Sequence, residues 1–218
     1  MGLRKVSFVS GEYYHIYSRG NSKQKIFLDG ADYDRFLKLL FLCNSELNIN
    51  FRNVIDVTRD IFAFERGETL VDIGAFCLMP NHFHLLLREK EEGNISLFMK
   101  KLLTAYVMYF NKKYERTGSL FEGKFKSEHA RTDNYLKYLF SYIHLNPIKL
   151  IEPKWRVEGI KNKLKAQKFA LNYEYSSYPC LGASNQKWNK VINLSNFPKY
   201  FLHPEDYKQE IFEWLNDN

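Results

Sequence analysis

Two short stretches of the chain hold side chains whose types and spacing could do chemistry. The first is His82-Phe83-His84. In an extended strand successive side chains alternate between faces, so the two imidazoles point one way and Phe83 the other. Two imidazoles on one face of a rigid strand can ligate one divalent cation, provided each second ring nitrogen finds a partner. The same triplet also fits two surface or hydrogen-bonded histidines. The second stretch is DNYLKYLFSYIHLN, residues 133–146. On a helix Tyr135, Tyr138 and Tyr142 share a face, and Asn146 lies one turn beyond Tyr142. An activated tyrosine can attack an electrophile and form a covalent intermediate, and an asparagine oxygen beside it could serve a metal. An aromatic stripe is equally a way to build a core. Pro147 disfavours helical geometry at the residue before it, which puts Asn146 at the helix end.

The elements that must position these groups follow from the apolar pattern. Residues 12–18 (EYYHIYS) form a first strand and Gly20-Asn21 a turn. A helix runs from Asp32, its expected cap, to about Leu47, with Phe36, Leu39, Leu40 and Cys43 at helical spacing. Residues 51–70 read as strands or a hairpin about Arg66-Gly67, around VIDV and IFAFERGETL. Residues 71–80 and 82–89 are two β-rich runs joined at Pro80-Asn81. Asn94 or Ser96 opens an amphipathic helix carrying Met99, Leu102, Leu103, Tyr106, Phe110 and Tyr114 on one side, with Gly118 as its stop. The basic segment SLFEGKFKSEHA leads to the helix over 133–146. A last helix is expected over 205–215.

The bulk numbers set the class. With 218 residues, 45% hydrophobic and 26% charged, the chain has the composition of a globular domain with an appended segment. Its net charge of +7 favours anionic partners. Cys43, Cys77 and Cys180 are far apart and form no CxxC pair, which points away from thiolate zinc sites and disulfide frameworks. No signal-peptide core is seen at the start, and no apolar run approaches the ~18 residues of a membrane span. The expected location is cytoplasmic, nucleoid-associated when DNA is bound, with no membrane partner.

The run Met79-Pro80-Asn81-His82-Phe83-His84-Leu85-Leu86-Leu87 closely resembles the HUH motif of the single-tyrosine transposases of insertion sequences. Further pieces, in order, resemble the REP-associated branch of that family: Tyr14-His15-Ile16 with Ser18-Arg19-Gly20-Asn21, then residues 116–127 (RTGSLFEGKFKS), then Tyr142-Ile143-His144-Leu145-Asn146-Pro147. The resemblance covers about residues 10–150, with a weaker echo at Tyr175-Ser176-Ser177-Tyr178.

The resemblance implies an α+β fold with an antiparallel sheet of ferredoxin or RNA-recognition type and packed helices. The catalytic domain would span 1–150, and 151–218 would be a small helical or irregular extension packed on it. It further implies an enzyme that nicks and rejoins single-stranded, hairpin-containing DNA through a 5′-phosphotyrosine, with Mg²⁺ or Mn²⁺ and no nucleotide cofactor. Carried over by position, Tyr142 is the nucleophile, His82 and His84 are metal ligands, and Asn146 is the third ligand. Arg19, Arg116, Lys124 and Lys126 are the expected DNA contacts, against a reading as a solvated basic face. His15 either approaches the site or makes a structural hydrogen bond. His129 has no assigned role, and His144 faces away from Asn146. Both monomeric and homodimeric forms occur among such enzymes. Two other readings remain: an inactive nucleic-acid-binding protein on the same scaffold, and a metallohydrolase that activates water with His82 and His84. Residues 48–72 form a longer connection with no assigned function.

Overall fold

Three strands form where apolar and β-branched residues alternate or run together, and a fourth, polar one forms by pairing with the first. The computed structural model describes residues 7–51, 53–54, 58, 60–182, 188–200, 205–207 and 209–210. The strands are β1 (Tyr13–Arg19), β2 (Val71–Met79), β3 (His82–Glu89) and β4 (Lys126–His129). They make one antiparallel sheet in the order β2-β3-β1-β4. The fold is therefore α+β, as expected. β2 and β3 are a hairpin joined through Pro80-Asn81, whereas β1 reaches β3 across most of the domain.

One face of the sheet carries Tyr14, Ile16, Phe76, Leu78, Phe83, Leu85 and Leu87. It is covered by α1 (Gly30–Cys43) and α2 (Asn94–Lys113), which contribute Phe36, Leu40, Phe98, Leu102 and Tyr106 to the same core. The other face carries Ala75, Cys77, Met79 and Leu86 under α3 (Asp133–Leu145), with Leu136, Leu139, Phe140 and Ile143. An irregularity between Ile73 and Ala75 lets two residues of equal parity face opposite cores. Gly74 sits at that point because a Cβ there would lie 2.6 Å from the Phe197 ring.

Several local expectations are corrected. Asp29, not Asp32, caps α1; Asp32 is the third residue of the helix and closes a reciprocal capping box with it. The helix stops at Cys43 rather than near Leu47, because the Asn44 amide is taken up by both backbone groups of Val71. Among the described residues of 51–70 there is no strand: residues 51 and 53–54 are helical and Ile61–Ala63 form a 3-10 turn; most of VIDV lies outside the described residues. α2 opens at Asn94 and its first backbone N–H groups are met by the buried Glu89 carboxylate, at 2.7 Å to Gly93 and 2.6 Å to Ile95. An anion there also suits the positive end of the helix. The same helix ends at Lys113, five residues before Gly118.

Beyond α3 the chain continues through a 3-10 turn, Asn146–Leu150, into α4 (Trp155–Glu158), α5 (Lys163–Leu171) and α6 (Tyr178–Gly182). Asn146 keeps helical dihedrals (φ −55, ψ −38) despite the proline after it. Pro147 is the second residue of the next turn, where its missing N–H and fixed φ cost little. Trp155, Ala166, Tyr178, Phe197 and Tyr207 join the core under α3, while Trp188 and Val191 join the other one. Backbone bonds tie this region to β2: Leu78 N–H to Tyr175 O at 2.8 Å, Ser177 N–H to Phe76 O at 2.9 Å, and Asn193 N–H to Ile73 O at 2.9 Å. Of the helix expected over 205–215, residues 205–207 and 209–210 are described and helical. No helix among the described residues is long and apolar enough to cross a membrane.

Candidate active site

Strand register assembles the polar face of the sheet. His82 lies across from Arg19 and Met79, and His84 across from Tyr17 and Cys77. Tyr17 is in turn opposite Lys126, and His15 lies between Leu86 and Glu128. Side chains paired in this way share a face. Three strands, β1, β3 and β4, thus bring three histidines, two tyrosine-neighbouring cations and a carboxylate to one surface, although they are spread over more than a hundred residues of sequence.

Each histidine of the His-x-His pair has one ring nitrogen engaged. Nδ1 of His82 is 2.7 Å from Asn81 Oδ1, and Nδ1 of His84 is 2.8 Å from His15 Nε2. The other nitrogen of His15 is 3.9 Å from Glu128. One set of tautomers satisfies these contacts: N–H groups on Nδ1 of His82, His84 and His15, which leaves Nε2 of His82 and of His84 as lone-pair donors. Burial pulls His82 down to about 4, helped by Lys149 and Arg19. Burial also lowers His15 to about 4, opposed by Glu128. His84 falls well below its ordinary value through burial and then through His15 and His82. Near neutral pH all three rings are uncharged, which is the form that ligates metals. The two imidazoles therefore fit a divalent ion as nitrogen donors with their outer partners in place. Among the described residues no group of three or more His, Cys, Asp or Glu is arranged to hold a metal, so further positions would fall to other oxygens.

Above the strands stands the tyrosine face of α3. Tyr135, Tyr138 and Tyr142 all line a cavity of about 410 Å³ together with His15, Tyr17, Arg19, His82, His84, Glu122, Lys124, Lys126, Glu128 and Lys149. The Tyr142 ring centroid is 5.6 Å from those of both His84 and His15, edge-on to each. The neighbouring phenols are committed: Tyr17 donates to Glu128 at 2.9 Å and Tyr135 to the other oxygen of that carboxylate at 3.0 Å. Burial and then Glu128 push Tyr17 up to about 12 and raise Tyr135 further. Among the described residues the Tyr142 hydroxyl makes no hydrogen bond. The guanidinium of Arg156, from α4, lies over its ring at 4.5 Å.

The sequence-predicted residues divide. His15, Arg19, His82, His84, Lys124, Lys126 and Tyr142 meet at the cavity. Asn146 does not reach its wall: it is fully buried, its amide nitrogen donates to Tyr142 O at 2.7 Å, and its oxygen accepts from Lys149 at 3.3 Å. Arg116 lies over Phe110 at 5.5 Å, near the end of α2 and outside the cavity lining. His144 is buried between Ser177 and Tyr207, and His129 bonds Glu12 at 2.9 Å. Sequence reasoning missed Lys149, Arg156, Glu122, Glu128 and Tyr17. Lys149 is lowered to about 8 by burial and then by Arg156 and Arg19, so positive charge converges on this end of the cavity. Alternation on β1 and β4 could have flagged Tyr17 and Glu128 once the register was known; no spacing signal points to Arg156.

Comparison with known proteins gives two findings. A family model described as "Transposase IS200 like" matches residues 9–146. Among solved structures, one titled "Structure of the REP associates tyrosine transposase bound to a REP hairpin" is similar at 12% identity, covering 83% of this chain and 85% of that one, with a TM-score of 0.47. No curated protein matches the chain.

Proposed function

This chain belongs to the IS200-like transposase family, and from that premise we propose that it cleaves and rejoins single-stranded, hairpin-containing DNA with Tyr142 as nucleophile. The observation that carries the reading is Tyr142, edge-on to His84 and His15 with a hydroxyl that makes no hydrogen bond among the described residues, while the phenols of Tyr17 and Tyr135 are held by Glu128. Tyr142 Oη attacks the phosphorus of a phosphodiester. The phenol proton is released to water as the 5′-phosphotyrosine bond forms; the P–O3′ bond breaks, and the 3′ oxygen leaves with its electron pair and takes up a proton from water. Attack by a 3′-hydroxyl on the phosphotyrosine reverses the step, so strands are exchanged without a nucleotide cofactor.

His82 and His84 would hold Mg²⁺ or Mn²⁺, which when bound polarises the phosphodiester and offsets the charge that grows on it. His15 and Asn81 orient those two rings, and Glu128 orients His15. Arg19, Lys124 and Lys126 line the cavity rim, where they can take phosphates of the incoming strand. Arg116 lies outside that cavity and would contact DNA only along its flank. Asn146 would supply a third ligand only by turning its oxygen away from Lys149. That inward-turned amide favours the second reading, a nucleic-acid-binding protein without cleavage.

The two readings part in one experiment. Labelled single-stranded hairpin DNA is incubated with the protein and Mg²⁺ or Mn²⁺, then resolved on a denaturing gel beside Tyr142→Phe. The expected result is a metal-dependent protein–DNA adduct absent from the mutant. Cleavage without adduct that survives the mutation would replace the phosphotyrosine mechanism by activated water. Binding without cleavage would leave the inert binder.

A further inference from the structure

The family match ends at residue 146, yet the next twelve residues send two cations to the tyrosine. Lys149, on the 3-10 turn, lines the cavity with His82, His84 and Tyr142. Arg156, on α4, sits over the Tyr142 ring at 4.5 Å and beside the Trp155 ring at 5.3 Å. Among the described residues Arg156 forms no ion pair with a carboxylate. Arg19 approaches the same corner from β1, close enough that it and Arg156 both act on Lys149. Glu122 and Glu128 also line the cavity, but among the described residues neither forms an ion pair with these three cations; their mutual repulsion is relieved when an anion enters between them.

The segment that carries these groups is firmly anchored. Ile148 and Trp155 are buried in the core under α3. Ile151 and Glu152 donate to Ile148 O at 3.0 and 2.8 Å, and Glu158 donates to Lys154 O at 3.0 Å. The Glu152 carboxylate then accepts from the backbone of Lys161 at 2.8 Å. A guanidinium presented from such a frame loses little freedom when it takes two phosphate oxygens at once.

We propose that Arg156, together with Lys149, grips the phosphoryl group as it passes to Tyr142, making α4 a catalytic element supplied from beyond the family-matched region. The inference rests on Tyr142 being the nucleophile. During attack the Oη–P bond forms and the P–O3′ bond breaks while negative charge gathers on the non-bridging oxygens. Arg156 donates two N–H groups to those oxygens, and the Lys149 ammonium meets them from the sheet side. The same contacts persist in the phosphotyrosine and serve its reversal. Stacking on Tyr142 keeps the guanidinium beside the oxygen that receives the phosphorus.

The test compares wild type with Arg156→Gln, Arg156→Lys and Lys149→Gln, each first shown to melt as a folded protein. Adduct formation on a single-stranded hairpin oligonucleotide with Mn²⁺ is followed by single turnover. Arg156→Gln is expected to slow it about 100-fold, with Arg156→Lys recovering part of the loss and Lys149→Gln slower by a smaller factor. In a Tyr142→Phe background, which removes the chemistry, Arg156→Gln is expected to lower the slope of log affinity against log salt for the oligonucleotide by ~0.7, the value for one phosphate contact on a single strand. If wild type forms adduct and Arg156→Gln matches its rate, the inference falls while the nucleophile assignment stands. If wild type forms none, the nucleophile assignment fails, and an unchanged salt slope in Arg156→Gln then overturns the phosphate grip independently.

Discussion

The two faces of β3 are built from the same strand and do opposite things. Phe83, Leu85 and Leu87 are wholly buried against α1 and α2, with the Phe83 ring tilted against that of Phe36 at 5.1 Å. His82 and His84, on the other side of the same backbone, look into a polar cavity and are kept uncharged there. Removing imidazoles from water without charging them is unfavourable, and the apolar face supplies the surplus that tolerates it. Rigidity is shared, because a strand pinned on one side cannot drift on the other. Positioning on this sheet is therefore a by-product of packing on its far face.

Four measurements would break or sharpen that contrast, ranked by their effect on stability. Phe83→Ala should cost about 3–5 kcal/mol in urea unfolding, the largest loss of any single change on β3. Gly74→Ala should cost about 1–3 kcal/mol, because its methyl would meet the Phe197 ring at 2.6 Å; an unchanged melting temperature would show that this ring yields. His84→Ala should cost only about 1–2 kcal/mol yet lower adduct formation at least ~100-fold. A stability loss equal to that of Phe83→Ala would erase the division between the faces.

The smallest effect concerns His144, a histidine buried away from the cavity and brought down to about 3 by burial alone. Its folded value lies below its unfolded one, so its contribution is intact above pH 6.5 and is lost as the pH falls from there toward 3. Between pH 6.5 and 5.5 the loss should be about 1 kcal/mol. Comparing unfolding free energies with those of His144→Gln isolates it, and identical pH slopes would contradict the assignment.

The alternation that set His82 and His84 against Phe83 was legible in three residues, and helical spacing alone placed Tyr135, Tyr138 and Tyr142 on one face. Both are local regularities. His15 was legible only as an ambiguity, since its bond to His84 depends on β1 pairing with a strand some seventy residues away. The end of α1 was misjudged because Asn44 binds Val71, a contact that no window along the helix contains. Asn146 kept its helical dihedrals because the following turn accommodates proline, whereas preference rules treat the dipeptide in isolation. Arg156 was out of reach altogether: a four-residue helix after a proline turn gives no periodicity to read.

The weak echo at Tyr175-Ser176-Ser177-Tyr178 turns out to run along β2, where Tyr175 and Ser177 exchange backbone bonds with Leu78 and Phe76. An outer strand normally offers a row of unmet amides as a template for another chain. Here those groups are already answered by the protein's own later residues. A second copy that sought to extend the sheet would find that margin taken, and would have to add at β4, only four residues long and carrying Lys126. The far reach of the chain thus acts as a built-in stopper against open-ended sheet growth.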